Sequence, residues 1–166
     1  KDVMNLMLRS GRILIDLEML RKFLIRAKYQ NIILLPWNSN MNSEMEFRCY
    51  VYEGVLTAIS QYEYTQVYES LQNHEFLKTI SESITFFHKK ISSSIKFNSY
   101  VFDVFLSPVI KESKKEYFVY LIELNPFSGD LSSGSCLFDW ENDKNIILNS
   151  KTKNPIVRIR VDEKTA

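Results

Sequence analysis

Two segments rich in aromatic and β-branched residues carry oxygen-bearing side chains among apolar neighbours. Residues 100–105 have Asp103 near their centre, and residues 119–127 have Glu123 and Asn125 near their end. Each composition predicts a β-strand. An ionised carboxylate in such a strand is costly to bury unless a cation or hydrogen bonds compensate its charge. The fold must therefore place these groups where their charge is balanced.

The strands predicted over residues 100–106 and 117–124 are joined by a short connection, so we expect them to pair antiparallel. The side chain of Asp103 then lies on one face of the hairpin, and Glu123 and Asn125 share a face. If the two faces coincide, three oxygen donors of the kind that Mg²⁺ accepts converge at one end of the hairpin. The alternative is that Asp103 caps a turn or pairs with a lysine, and that Asn125 begins a loop.

A second hairpin is predicted over residues 46–61. Residues 46–52 alternate in polarity, Glu53-Gly54 forms the turn, and residues 55–61 return as the partner strand. Arg48 lies opposite the apolar face of its strand and has the geometry to bind a phosphate bidentately. The simpler interpretation is an exposed arginine that pairs with Glu46 or Glu53.

The rest of the chain favours helices, with two further strands. Residues 2–8, 16–28, 65–71 and 75–91 show helical spacing of apolar residues, whereas residues 31–37 and 156–161 read as strands. We expect an α+β fold with a mostly antiparallel sheet packed against helices. A chain of 166 residues without an apparent linker is expected to form a single domain over residues 1–166.

Composition limits the function classes. The net charge of +1 gives no general attraction to nucleic acid or to an anionic membrane, and no segment approaches the roughly 18 apolar residues of a membrane span. We therefore expect neither direct nucleic-acid reading nor a membrane. Cys49 and Cys136 lie in apolar surroundings and are expected to be reduced, buried thiols of a cytoplasmic protein.

Other sequence signals for a reaction are weak. His74 and His88 have no matching nucleophile, so a catalytic triad has almost no support. The sequence contains no glycine-rich phosphate loop. The run of residues 32–37 is either an edge that reads adenine or an ordinary core strand. A nucleotide bound by this chain would have to be held by charged side chains and a metal.

Several blocks together resemble the cell division cycle protein 123 family, an ATP-grasp-like group that assists assembly of eukaryotic translation initiation factor 2. The blocks occur in the family's order and cover residues 2–10, 33–37, 46–51, 58–61, 64–68, 100–104, 121–127 and 137–141. The resemblance implies an ATP-grasp-like lobe that corresponds to the C-terminal part of the family fold. We expect the family's N-terminal portion, with its nucleotide-binding lysine and glycine loop, to be missing from this sequence.

The resemblance also implies functional residues. The family's metal-binding aspartate falls on Asp103, its D-x-N pair on Glu123 and Asn125, and the arginine of its E-F-R-C motif on Arg48, with Glu123 also expected to contact the nucleotide. The hinge that contacts adenine falls on Leu34, Leu35 and Trp37.

Three departures stand against a full transfer of these roles. Glu123 replaces the usual aspartate, Leu35-Pro36 replaces a basic pair, and Tyr62 replaces an arginine.

The function expected from this resemblance is that of a cytoplasmic assembly chaperone. It would bind ATP and Mg²⁺ and the gamma subunit of translation initiation factor 2, and nothing in the sequence requires ATP turnover or assigns a catalytic residue. One alternative is a degenerate ATP-grasp-like interaction protein that binds no nucleotide. Another is an ATP-grasp ligase that joins a carboxylate to an amine, which the loss of basic residues disfavours.

Overall fold

The structure is a computed structural model that describes residues 2–22, 36, 38–111, 114–129 and 134–162. The chain divides into two compact units, Lys1–Trp37 and Asn38–Ala166. The first unit contains helix α1 (Asp2–Arg9) and helix α2 (Gly11–Lys22). The hydroxyl of Ser10 accepts a hydrogen bond from the backbone N–H of Ile13, which caps α2. The predicted helix over residues 2–8 is confirmed. The helix predicted over residues 16–28 begins at Gly11 instead, and residues 23–28 lie outside the described residues.

The second unit contains a five-stranded sheet and one long helix. Its strands are β1 (Glu46–Tyr52), β2 (Val55–Gln61), β3 (Tyr100–Lys111), β4 (Lys114–Pro126) and β5 (Ile156–Arg158), and its helices are α3 (His74–Ile91) and the single turn α4 (Lys144–Ile147). Short 3₁₀ turns occur at Ser43–Met45, Ser70–Gln72 and Ser92–Ser94. The predicted α+β class is confirmed.

The strands lie in the order β4-β3-β1-β2-β5. All neighbours pair antiparallel except β5, which runs parallel to β2. The hairpin predicted between β1 and β2 is confirmed, and its turn residues Glu53 and Gly54 both have positive φ, at 49° and 80°. This conformation matches the twist of two-residue hairpin loops and suits Gly54, which has no Cβ.

Both faces of the central strands are covered, although the alternation of β1 predicts only one apolar face. One face packs Phe47, Cys49 and Val51 in a core cluster with Ile80 and Ile84 of α3. The other face places Tyr50, Ala58 and Val101 against Phe138 and Ile147 from the segment that follows β4. Strands that are buried on both faces hold any polar side chain away from water, so such a side chain needs partners within the protein.

Helix α3 confirms the helix predicted over residues 75–91. Asn73 caps its first turn, because its side-chain oxygen accepts hydrogen bonds from the backbone N–H groups of Glu75 and Phe76. Ile80, Ile84 and His88 lie at four-residue intervals and are buried. This stripe fixes which face of α3 packs on the sheet.

The helix predicted over residues 65–71 is wrong. Only the 3₁₀ turn Ser70–Gln72 forms there, and the preceding residues follow an irregular path. The side-chain amide of Gln61 donates to the carbonyls of Glu63 and Gln66, at 2.5 and 2.6 Å, and the carboxylate of Glu63 accepts from the backbone N–H of Thr65. These bonds satisfy backbone polar groups of the loop locally, and they compete with the backbone hydrogen bonds that a helix would make.

Three further predictions on strands have separate outcomes. Strands β3 and β4 both extend beyond the predicted 100–106 and 117–124. The strand predicted over residues 156–161 ends at Arg158. The strand predicted over residues 31–37 lies outside the described residues, apart from Pro36.

His88 is expected to make stability depend on pH. Its ring is 5% exposed, stacks on Phe102 with ring centroids 5.8 Å apart, and has Nε2 3.0 Å from the hydroxyl of Tyr100. Burial lowers the pKa of His88 below its usual 6.5, so the unfolded chain takes up a proton before the folded chain does. Its contribution to stability is therefore present above pH 6.5 and is lost as the pH falls, by at most about 1.4 kcal/mol per pH unit.

Urea denaturation between pH 8 and pH 5 measures this effect. The variant His88→Gln should lose less stability over this range than the parent protein. The matched control is His74→Gln at an exposed position at the start of α3, and it should keep the parent's pH dependence because His88 is intact. Equal slopes in the parent and in His88→Gln would contradict the assignment.

Candidate functional site

Arg48 lies at the centre of the sheet. Its Cα pairs with Ser60 of β2 on one side and with Asp103 of β3 on the other. Arg48 is only 6% exposed and Asp103 only 2%. The alternation of β1 turns Arg48 away from the α3 side, so its guanidinium lies on the opposite face and needs an acceptor there.

Asp103 supplies that acceptor in a bidentate ion pair. Nε of Arg48 donates to Oδ1 of Asp103 at 2.8 Å, and Nη2 donates to Oδ2 at 2.7 Å. Two parallel charge-assisted bonds are the strongest arrangement available to this pair. The expectations that Arg48 is exposed and paired with Glu46 or Glu53, and that Asp103 pairs with a lysine, are wrong.

The register between β3 and β4 places Glu123 beside Asp103. Asp103 pairs with Glu123, whereas the next residue of β3, Val104, pairs with Leu121. Ile122 is therefore an extra residue on β4, as in a β-bulge. The bulge lies next to the acidic pair, where such irregularities commonly redirect side chains.

Asn125 connects the two carboxylates. Its side-chain amide donates to Oδ2 of Asp103 at 3.1 Å and to Oε1 of Glu123 at 3.0 Å, and Oε1 of Glu123 lies 4.0 Å from Nη2 of Arg48. Asn125 is 7% exposed, whereas the side chain of Glu123 is 52% exposed. We call these four residues, Arg48, Asp103, Glu123 and Asn125, the Arg48 cluster. Glu123 is its solvent-facing member.

The electrostatics of the cluster favour a further cation. One guanidinium faces two carboxylates, so the formal charge is +1 − 2 = −1. Burial raises the pKa of Asp103, with Glu123 acting in the same direction and Arg48 opposing both. Burial, Asp103 and Glu63 also raise the pKa of the neighbouring Glu46. Negative charge is therefore in excess around Arg48.

Tyr62 covers the guanidinium. Its ring centroid lies 5.1 Å from Cζ of Arg48, which is within the range of a cation–π interaction. This is the position at which the family resemblance implied an arginine. An aromatic ring stabilises Arg48 without adding a second positive charge for a phosphate.

The segment after β4 passes over the same face. Nη1 of Arg48 donates to the carbonyl of Gly134 at 2.6 Å, and the hydroxyl of the buried Tyr50 donates to the carbonyl of Ser135 at 2.6 Å. This connection was not predicted from the sequence. A lone glycine in a serine-rich loop carries no signal that predicts which side chain its carbonyl accepts from.

The structure describes some of the predicted site residues and not others. The structure brings Asp103, Glu123 and Asn125 together, as a hairpin whose two faces coincide predicts, and it adds Arg48 from the neighbouring strand. Leu34, Leu35 and Trp37 lie outside the described residues, so the adenine hinge stays a prediction.

The chemistry of the donor set fits a hard divalent cation. Two carboxylates and a carboxamide oxygen are ligands that Mg²⁺ accepts, usually with phosphate oxygens and water. The amide nitrogen of Asn125 faces both carboxylates in the structure, so its oxygen would reach a shared ion only after the amide turned over. A carboxylate has about four acceptor positions, so Asp103 is able to hold Arg48 and a metal together. Among the described residues, no three His, Cys, Asp or Glu side chains group in a metal-binding arrangement. A metal here would therefore depend on Asn125 and on oxygens from a ligand.

This sheet, its helix and the charged cluster define an ATP-grasp-like α+β lobe. The D123 family matches residues 1–166. The chain is 36% identical over 116 residues to the translation initiation factor eIF2 assembly protein of Xenopus laevis, and 30% identical over 118 residues to a putative CDC123-like protein of Acanthamoeba polyphaga mimivirus. The chain belongs to the D123 family.

Solved structures agree with this assignment. Cdc123 from Schizosaccharomyces pombe superposes with a TM-score of 0.60 at 27% identity, covering 76% of this chain and 44% of that one. A C-terminally truncated form of the same protein gives a TM-score of 0.59 over 76% of this chain and 43% of that one. The ATP-grasp-like fold expected from the sequence is confirmed.

The matches cover only part of each relative. They span 69% of this chain but 30% of the Xenopus laevis protein, and 70% of this chain but 34% of the mimivirus protein. The chain thus spans about a third of the length of these relatives. Among the described residues, no helix has both the length and the apolar character that crossing a membrane requires.

Proposed function

We propose that this chain is an assembly module for eukaryotic translation initiation factor 2, in which the Arg48 cluster binds Mg²⁺ and ATP. The observation that carries the proposal is the convergence of Asp103, Glu123 and Asn125 beside Arg48, on one face of a lobe that belongs to the D123 family. The module would act in the cytoplasm, and its client would be the gamma subunit of the factor.

The residues of the Arg48 cluster would have different roles in binding. Asp103, Glu123 and Asn125 would hold Mg²⁺, with Glu123 also close to the nucleotide, and the ion would screen the phosphates from these carboxylates. Arg48 would contribute positive charge. Three of its five N–H groups donate to protein acceptors, so at most two remain for a phosphate.

The bound nucleotide would order this face of the sheet and favour the conformation that holds the client. Leu34, Leu35 and Trp37 would frame adenine, as the resemblance implies. A chaperone role does not require hydrolysis, and we assign no catalytic residue. The preference over a ligase rests on Tyr62, which occupies the place of a basic residue and cannot stabilise a transferring phosphoryl group by charge.

Client retention tests this function. The tagged chain is mixed with purified gamma subunit of translation initiation factor 2, with and without Mg²⁺ and ATP, and the retained subunit is quantified. We expect retention that Mg-ATP increases and that Glu123→Gln reduces.

The control for that experiment is Glu116→Gln, an exposed position on the same strand, which should behave like the parent. A folded chain that does not retain the gamma subunit under either condition would overturn the assembly role. Retention that is unaffected by Mg-ATP would leave an interaction protein that works without a nucleotide.

A further inference from the structure

Residues 134–138 cross the sheet on the side of the Arg48 cluster, and we call them the strap. Their backbone is held by side chains from three strands rather than by a ladder of backbone bonds. The anchors are the bonds from Arg48 to the Gly134 carbonyl, from Tyr50 to the Ser135 carbonyl and from Arg158 to the Leu137 carbonyl, and from the Leu137 N–H to the Ser60 hydroxyl.

Most of these anchors are built into the buried sheet. Tyr50 and Ser60 are fully buried, and Arg48 is 6% exposed. Phe138 packs its ring against Tyr50 with centroids 5.6 Å apart and completes the far end of the strap. Tyr50 and Ser60 therefore hold the strap from within the sheet, whereas both arginine anchors also bind a carboxylate elsewhere.

Of the two arginine anchors, Arg48 is the one that lies in the proposed ligand site. One edge of the guanidinium binds Asp103, while Nη1 binds the Gly134 carbonyl. A bound anion is a stronger acceptor for an arginine N–H than a neutral carbonyl is. An anion that a divalent cation holds beside Asp103 would compete with the Gly134 carbonyl for Nη1 of Arg48.

We propose that Arg48 is a shared anchor, so that an anionic ligand which draws its guanidinium from Gly134 releases the strap from the sheet. The part of this inference that concerns the ligand rests on the proposed function. The part that concerns anchoring by Arg48 and Tyr50 stands independently of any nucleotide.

Cys136 reports on the position of the strap. It lies at the middle of the strap, partly buried, and burial raises the pKa of its thiol to about 11. Thiolate is the form that reacts with alkylating agents, so a bound strap reacts slowly and a released strap reacts faster. Cys49 is fully buried in the core on the other side of the sheet, so its alkylation reports global unfolding in the same sample.

The experiment measures iodoacetamide labelling of the two cysteines by mass spectrometry, using the whole chain. In Arg48→Lys, one ammonium cannot replace both the bidentate bond to Asp103 and the bond to Gly134, and we expect Cys136 to react about tenfold faster. In Tyr50→Phe, the loss of an uncharged anchor should accelerate Cys136 about threefold or more. Labelling of Cys49 should remain slow in both variants.

Thr57→Val is the control for a general loss of stability. The hydroxyl of Thr57 is buried in the neighbouring strand and donates to the carbonyls of Tyr50 and Ile147, without contacting the strap. It should leave the labelling of Cys136 unchanged. Anchoring of the strap is overturned if labelling of Cys136 is accelerated in neither Tyr50→Phe nor Arg48→Lys. It is also overturned if labelling of Cys136 is accelerated only together with labelling of Cys49.

The ligand arm repeats the labelling of the parent protein with Mg-ATP and with inorganic pyrophosphate in the presence of Mg²⁺, while calorimetry records binding in matched samples. Heat of binding with faster labelling of Cys136 supports release of the strap. Heat of binding with unchanged or slower labelling overturns release and leaves the proposed nucleotide site intact. No heat with either anion overturns both the nucleotide proposal and release of the strap by a ligand. Labelling of the variants still tests whether Arg48 and Tyr50 anchor the strap.

Discussion

Replacing Arg48 with methionine is expected to lower the free energy of unfolding by about 3–5 kcal/mol. The substitution leaves Asp103, which is 2% exposed, without the guanidinium that binds both of its oxygens. An uncompensated buried carboxylate is far costlier than the loss of the attraction itself. Urea denaturation at neutral pH, with Cm and the m value compared between variant and parent, measures the effect.

Two further variants identify the cause. Arg48→Met combined with Asp103→Leu removes both charges, so most of the loss should be recovered. Arg158→Met breaks a second bidentate pair, with Asp143, whose arginine side chain is 35% exposed, and it should cost only about 1 kcal/mol. A loss below about 1 kcal/mol for Arg48→Met would show that Asp103 is not held by Arg48 in the folded protein.

Glu123→Gln is expected to weaken Mg-ATP binding at least about tenfold, because it removes a charged ligand worth roughly 1.5–3 kcal/mol. Glu123 is the exposed member of the Arg48 cluster, with a side chain that is 52% exposed. The glutamine keeps an oxygen that accepts from Asn125, so stability should change by no more than about 0.5 kcal/mol. Isothermal titration with Mg-ATP measures the affinity.

The comparison with Glu116→Gln makes that result specific. Both substitutions remove one negative charge from an exposed position of β4, so a general change in net charge would affect them equally. A difference between the two variants would place position 123 at the bound ligand. Equal affinities of the two variants for Mg-ATP would remove Glu123 from the proposed site.

The parts of the fold that the sequence predicted are those in which local pattern and packing agree. Residues 46–61 alternate in polarity around a turn that suits positive φ, and the hairpin forms as predicted. The apolar spacing of α3 matches its buried stripe. The meeting of Asp103 and Glu123 needed more than this pattern, because the register set at the β3–β4 turn would pair Asp103 with Ile122 and the bulge shifts the pairing to Glu123.

The parts that the sequence did not predict depend on individual side-chain hydrogen bonds, two of which join residues far apart in the chain. Residues 65–71 have helical spacing, yet the amide of Gln61 holds the preceding loop in another path. The pairing of Arg48 with Asp103 depends on β1 and β3 being neighbours, although 55 residues separate the two side chains. The anchoring of Gly134 by Arg48 spans 86 residues. Neither local propensity nor periodicity encodes such partners.

Paramagnetic broadening by manganese locates the metal most directly. Mn²⁺ accepts the same oxygen ligands as Mg²⁺, and Asn125 contributes a side-chain amide whose NMR signal reports on the centre of the Arg48 cluster. With substoichiometric Mn²⁺ and saturating Mg-ATP, the side-chain signal of Asn125 should broaden first, while that of Asn73, which caps α3, should persist. A signal of Asn125 that stays sharp while nucleotide is bound would contradict a metal site at this cluster.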